Sequence, residues 1–250
     1  MIEGRHGSLG RMTNAKDLAA RIKALDWSGV TSELETAGAA PVGVVLSGKE
    51  CADLAGLYAE EARFRSRIVM ARHGFGSGEY QYFANPIPEP IAAMRTAFYP
   101  HLAAIANRWA AALGATETFP DTLDAMLARC HAAGQTRPTP LMLKYGPGDY
   151  NCLHQDLYGP NVFPLQVVIL LSDPAKDFSG GEFVVVEQRP RMQSKAEVVA
   201  MRQGEAVVFA THHRPKQGTK GIYRVNLRHG VSRVRSGTRQ TLGLIFHDAA

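Results

Sequence analysis

The sequence predicts an α+β fold, with a helical first half leading into a β-rich second half. Two observations carry this reading. Up to about residue 137, apolar residues recur at helical spacing behind recognisable caps. After Pro138, seven short apolar runs follow one another with turn-forming residues between them, the pattern of a β-sandwich or barrel.

The elements follow in order. Leu18, Ala19, Ile22 and Leu25 form one helical stripe. A short strand is expected at 41–46. Ser47-Gly-Lys-Glu50 is a capping box opening a helix that runs to about Ala59. A further strand is expected at 67–70, then a glycine-rich loop, His73-Gly-Phe-Gly-Ser-Gly78. In the extended segment that follows, Tyr80 and Tyr82 share one side. Helical patterning returns at 89–113, with a break expected near Pro100, and again from a cap at Asp121 to about Ala133. The expected strands of the second half are 141–145, 165–171, 182–187, 198–201, 206–210, 223–227 and 241–246, divided by turns such as Gly146-Pro-Gly-Asp149 and Ser179-Gly-Gly181. No composition shift marks a domain boundary, so the helices are expected to buttress the β core.

The chain has 250 residues, 45% of them apolar, enough for one large domain with a sizeable core. Ile2-Glu-Gly-Arg5 is a protease-cleavage sequence used in expression vectors, and His6-Gly-Ser8 reads as a cloning scar. The domain proper is therefore expected to be 12–250, starting at Met12. Setting aside Glu3, Arg5 and Arg11 takes the formal charge from +5 to +4. The basic excess is concentrated. Between Ala206 and His247 stand Arg214, Lys216, Lys220, Arg224, Arg228, Arg233, Arg235 and Arg239, with no Asp or Glu among them. Such a window attracts polyanions, nucleic acid among them, or is a solvated face plus one arginine for a small dicarboxylate. Arg189, Arg191 and Lys195 are expected to face water. Cys51, Cys130 and Cys152 have no paired spacing, which suits free thiols and a cytoplasmic location. No apolar run approaches the roughly 18 residues needed to span a bilayer, so no membrane association is expected.

The chemistry centres on Tyr145-Gly-Pro-Gly-Asp-Tyr-Asn-Cys-Leu-His-Gln-Asp156. Side chains two apart on a strand share a face, so His154 and Asp156 can grip one metal ion. The third ligand is expected from His212, His213, His229 or His247. His229 is the best placed, at the end of a strand expected to stop before Gly230, and His213 is its main competitor, although the segment 212–218 is expected to be an exposed loop. Two imidazoles and one carboxylate, with open positions opposite, make the site type of non-haem Fe(II) oxygenases. Arg239, ten residues after His229, returns one strand later toward the same cavity. Its guanidinium suits the distal carboxylate of a 2-oxo dicarboxylate, and Tyr145 can add a hydroxyl.

These pieces, with Gly180-Gly-Glu-Phe183, Gly204-Glu-Ala-Val-Val-Phe209 and His229-Gly-Val…Gly237-Thr-Arg239…Leu242, resemble the catalytic core of the Fe(II)/2-oxoglutarate-dependent dioxygenases over residues 141–248. The resemblance implies a double-stranded β-helix, or jelly roll, over 138–250, with a helical layer over 12–137. It implies His154, Asp156 and His229 as the iron triad, Arg239 and Tyr145 as the 2-oxoglutarate anchors, and O2 as co-substrate. The product would be a hydroxylated C–H bond, alongside succinate and CO2. The 19 residues between Phe209 and His229 exceed the usual link in prolyl-hydroxylase-type members and leave the third ligand open.

Nucleic acid, protein or peptide, and a small molecule stay open as substrate classes, and the sequence speaks for the first two. The segment 72–83 resembles the glycine- and aromatic-bearing lid with which AlkB-like enzymes hold a flipped base. It offers Arg72, Tyr80 and Tyr82 as substrate contacts in the oxidative demethylation of nucleic acid, single-stranded or with an extruded base. The short spacing from His229 to Arg239 resembles prolyl hydroxylases instead and points to a protein or peptide substrate.

Overall fold

The computed structural model describes residues 14–116, 118–157, 159–189 and 192–250. The leader at 1–11, the expected start at Met12 and Arg191 lie outside the described residues.

Among the described residues, five α-helices and fifteen strands follow in order, with three short 3-10 turns between them. They are α1 (Ala15–Lys23), α2 (Trp27–Ala37), β1 (Ala39–Val44), α3 (Gly48–Gly56), β2 (Phe64–Val69), β3 (Gly76–Ser77), β4 (Glu79–Phe83), α4 (Glu89–Ala112) and α5 (Leu123–Ala132). The β-rich half holds β5 (Leu141–Tyr145), β6 (Tyr150–His154), β7 (Leu165–Leu170), β8 (Phe178–Gly180), β9 (Phe183–Gln188), β10 (Lys195–Val199), β11 (Glu205–Ala210), β12 (His213–Gly218), β13 (Gly221–Val231), β14 (Val234–Gly237) and β15 (Arg239–Leu244).

The predicted capping box closes in full, with the Ser47 hydroxyl accepting from the Glu50 backbone and the Glu50 carboxylate from the Ser47 N–H. Helix α2 was not anticipated, although its signals are present. Asp26 caps its first turn, and Gly38 ends it in the left-handed region at φ 81°. The break expected near Pro100 does not occur, and α4 runs straight through it. A proline removes one backbone bond, at about 3 kcal/mol. Phe98, Tyr99, Leu102 and Trp109 on the same helix are all buried, each contributing roughly 1.5–3 kcal/mol. Asp121 lies one residue before the cap, which is Thr122.

The strands form two main antiparallel sheets. The larger has seven strands in the order β1-β11-β7-β15-β5-β4-β2, and the smaller runs β10-β9-β13-β6-β3 with β12 paired on β13. The non-sequential order is that of a jelly roll, and β1, β2 and β4 from the helical half widen the larger sheet. Helices α1, α3 and α4 pack with the larger sheet around one apolar core. Phe183 of the smaller sheet meets Phe209 of the larger at 5.1 Å between ring centroids, which marks the space the sheets enclose. Near the C-terminus, the buried Arg95 of α4 pairs with buried Asp248 at 3.0 Å, and Asp248 also meets His131 of α5 at 2.9 Å.

Two expectations are corrected here. Within the segment 212–218, residues 213–218 form a strand paired to β13, from His213 opposite Asn226 to Gly218 opposite Gly221, and not an exposed loop. The long link between Phe209 and His229 is therefore a β-hairpin. The basic window is also not one surface patch. Arg214 and Arg239 are fully buried; Arg214 bonds Glu187 and the Glu35 and Thr36 carbonyls, and Lys216 shares Glu187 at 2.7 Å. Arg189 also pairs with Glu187, at 3.0 Å, and Lys195 with Glu197, at 3.2 Å. All three cysteines are free, with Cys51 and Cys130 buried and Cys152 exposed. Among the described residues no helix is long and apolar enough to cross a membrane.

Candidate active site

The two sheets enclose a cavity of about 340 Å³. His154, Asp156, His229, Arg239 and Tyr145 all line it, as do Tyr80 and Tyr82.

Backbone register brings the first three together. His154 on β6 stands directly opposite His229 on β13, and a bulge follows between His229 and Val231. That bulge leaves β13 running on to Val231, so the strand does not stop before Gly230 as expected. Asp156 is not in the same strand as His154, because β6 ends at His154. The turn-out is pinned by Gln155, whose amide donates to the His212 carbonyl at 3.0 Å and the Leu227 carbonyl at 2.8 Å. Asp156 then points back at both rings. Its Oδ1 is 3.5 Å from His154 Nε2, and its Oδ2 is 3.3 Å from His229 Nε2. One donor atom from each residue lies within 4.8 Å of the other two, close enough to share one metal ion.

The tautomer of His154 follows from its neighbour. A carbonyl only accepts, so Nδ1–H donates to the Cys152 carbonyl at 2.8 Å and Nε2 keeps its lone pair for the cavity. His229 is held by packing: its ring lies 4.7 Å from Phe209, and its Nδ1 is buried without an acceptor. Burial disfavours the His154 imidazolium, but the Asp156 carboxylate outweighs it and raises the pKa. Burial likewise lowers the pKa of His229. For Asp156 burial pushes upward, yet the two imidazoles hold it well below the ordinary carboxylate range. A divalent cation needs the carboxylate ionised and both rings neutral, so on binding it displaces any proton that Asp156 holds on His154.

Arg239 begins β15 and is paired with Tyr145 at the end of β5, its guanidinium 5.7 Å from the Tyr145 ring centre. It is 2% exposed, and its Nε has no acceptor in reach. Burial lowers its pKa to about 10, which leaves it cationic at neutral pH. A buried cation with an orphaned donor is costly unless an anion completes it. Burial pushes the Tyr145 phenol upward, so its hydroxyl stays protonated and can donate. Two glycines make room for the pair. At Gly181, with φ 66°, an added Cβ would stand 2.9 Å from Arg239 Cδ. At Gly78, with φ 113°, it would stand 2.8 Å from the Tyr145 ring.

Not every candidate joins the site. His213 packs on His212 at 3.8 Å and is absent from the His154–Asp156–His229 group. His247 is buried, and its Nδ1 accepts from the Phe163 backbone. Arg72 is exposed and does not line the cavity. Tyr80 and Tyr82 do line it, edge to face at 5.4 Å, and Arg65 lies 4.5 Å over the Tyr82 ring. One wall residue was missed: Gln166, buried in the wall with its Nε2 unpartnered. A lone amide inside the apolar run of β7 was the signal available.

The donor set of two imidazoles and one carboxylate suits Fe(II), and the orphaned guanidinium in the same cavity suits a dicarboxylate. Comparison with known proteins agrees. Residues 78–249 match the Oxygenase-NA family, described as "Oxygenase, catalysing oxidative methylation of damaged DNA". "Uncharacterized protein Rv2227" of Mycobacterium tuberculosis strain H37Rv is 55% identical over 168 residues, 67% of this chain and 72% of that protein. The fold is similar to an oxidoreductase of the 2OG-Fe(II) oxygenase family from Burkholderia pseudomallei, with TM-score 0.51 and 16% identity over 90% of this chain and 93% of that one. It is also similar to the non-heme alpha ketoglutarate dependent epimerase SnoN from nogalamycin biosynthesis, with TM-score 0.53 and 14% identity over 87% and 80%. A prolyl hydroxylase from Trichoplax adhaerens gives TM-score 0.50 and 13% identity over 92% of each chain. The chain belongs to the Oxygenase-NA family of oxygenases, and its His154–Asp156–His229 group can hold a metal ion.

Proposed function

We propose that the enzyme removes alkyl groups from damaged nucleic acid by hydroxylating them. His154, Asp156 and His229 hold the iron. Arg239 takes the distal carboxylate of 2-oxoglutarate as a charge-assisted pair, with the Tyr145 hydroxyl as a second donor. Bound iron supplies the activation of O2 that couples oxidative decarboxylation of 2-oxoglutarate to hydroxylation of a substrate C–H bond.

The protein positions the rest. Tyr80 and Tyr82 present aromatic faces in the cavity that holds the metal group, where an extruded base can stack. The wall of Phe183, Phe209, Val167 and Leu143 excludes water from the reacting bond. The reaction balances as one C–H bond becoming C–OH while 2-oxoglutarate and O2 become succinate and CO2. On an N-methyl group the product is a hemiaminal, which breaks its C–N bond to release formaldehyde and restore the N–H.

The observation that carries the reading is the coincidence in one cavity of the His–Asp–His group, the orphaned Arg239 and the Tyr80–Tyr82 pair. The family's description supports nucleic acid as the substrate. The test is formaldehyde release from single-stranded DNA carrying N-methylated bases, with Fe(II), 2-oxoglutarate and air. Formaldehyde stoichiometric with succinate supports the assignment. No formaldehyde, together with a 16-dalton gain on a protein or peptide, replaces it with side-chain hydroxylation.

A further inference from the structure

The outer face of the β12–β13 hairpin has no part in the site just described, although the inner face of β13 carries His229. Along β13 the side chains alternate. Val225, Leu227 and His229 are buried, and Arg224, Asn226 and Arg228 are exposed. Lys220 is exposed at the turn that joins β12 to β13, and Ile222 is 49% exposed beside it.

The charge on this face is unspent. The nearby acid, Glu187, is buried and already shared by Arg214, Lys216 and Arg189. Among the described residues no carboxylate pairs with Lys220, Arg224 or Arg228. Arg228 donates only to neutral oxygens, Gln188 Oε1 at 3.2 Å and the Leu153 carbonyl at 3.5 Å. That second contact joins the hairpin to the cavity wall, because Leu153 is 42% exposed and also lines the cavity. A row of cations therefore runs along the outer face of the strand from Arg228, which touches the backbone of cavity-lining Leu153. Arg224 lies about 13 Å from Arg228 along the strand, at about 3.3 Å per residue.

We infer that the exposed face of this hairpin, Arg228, Arg224 and Lys220, is a track for the phosphodiester backbone of a single-stranded nucleic acid whose modified base occupies the cavity. The inference rests on the nucleic-acid reading above and adds the surface that would hold the strand. Cations without acidic partners, spaced along a strand beside an aromatic-lined cavity, match successive phosphates of a polyanion carrying stackable bases, a span that one small molecule does not cover.

The experiment compares the wild type with Lys220→Glu/Arg224→Glu, and with Lys16→Glu/Lys23→Glu on α1 as a charge-matched control. Binding of a labelled single-stranded oligonucleotide carrying one N-methylated base is measured against salt. Formaldehyde release is followed in parallel. The absorption band of the anaerobic Fe(II)–2-oxoglutarate complex reports that each variant is folded and loaded. The double variant is expected to bind at least ~10-fold more weakly at low salt, with the slope of log K against log salt reduced by about 1.4, while the control matches the wild type. A double variant that keeps the band and binds with unchanged affinity and slope overturns the track and leaves the demethylase reading intact. Wild-type protein that shows the band but neither binds the oligonucleotide nor releases formaldehyde overturns both.

Discussion

His154 and His229 face each other across two antiparallel strands, with ring centroids 4.3 Å apart. The pairing is a matter of parity. A slip of one residue along β13 would turn His229 to the outer face and bring Arg228 or Gly230 inward. The bulge after His229 and the close approach of Gly230 to Asn151, where a Cβ would stand 2.6 Å from the carbonyl oxygen, pin that register.

The first prediction concerns this trio. His229→Ala is expected to weaken Fe(II) binding by about 100-fold or more and to abolish the absorption band of the 2-oxoglutarate complex. Replacing Cys152 leaves its carbonyl, and hence the His154 tautomer, in place. Cys152→Ala is therefore expected to keep the band. Anaerobic Fe(II) titration reads both.

Arg239 gives a two-sided test. Arg239→Met removes the proposed partner of the distal carboxylate and is expected to raise the KM for 2-oxoglutarate by ~10- to 100-fold, or about 1.5–3 kcal/mol. The same change removes a buried cation with an orphaned donor, so the thermal midpoint of the protein without 2-oxoglutarate is expected to hold or rise. A fall in stability with an unchanged KM would make Arg239 a structural residue.

Gly181→Ala forces a Cβ into a left-handed backbone and against Arg239 Cδ and Val234 Cγ2, each 2.9 Å away. A cost of about 1–2 kcal/mol in stability is expected, with a rise in the KM for 2-oxoglutarate as the guanidinium shifts. The KM, compared with that of a loop variant of equal stability, separates displacement of Arg239 from general loosening.

Tyr80→Ala and Tyr82→Ala are each expected to cost about 1–3 kcal/mol in affinity for a methylated oligonucleotide through lost stacking. Fe(II) titration of the same variants should match the wild type. Equal oligonucleotide affinity before and after substitution would return the two tyrosines to a packing role.

Acid stability follows from three other histidines. Burial holds His212, His213 and His247 neutral, with pKa values lowered to about 4. Unfolding frees them to protonate near 6.5, so between about pH 6.5 and 4 the unfolded chain binds more protons than the native one. Stability therefore rises with pH across that window and is lost on acidification. The thermal midpoint is expected to drop by about 5 °C or more between pH 6.5 and 5. A flat profile would mean that these rings are already charged in the fold.

Much of this was legible because chemistry and period coincide in the second half. His154, Asp156 and His229 stood out as residue types, and short apolar runs placed the strands around them. Local order hid the rest. Asp156 reaches the site through the side-chain hooks of Gln155, which no strand period announces. The segment 212–218 looks polar because one of its faces is the outside of a hairpin and the other is spent on a buried glutamate. Arg214 reads as surface charge until Glu187 and two carbonyls close around it, and such closure is a tertiary fact with no local signature. Pro100 reads as a breaker only if the buried face of α4 is left out of account.

The clasp between Arg95 and Asp248 has a practical consequence. Trimming the final three residues withdraws the carboxylate that neutralises a guanidinium sealed in the helical layer, and it unhooks α5 through His131 at the same stroke.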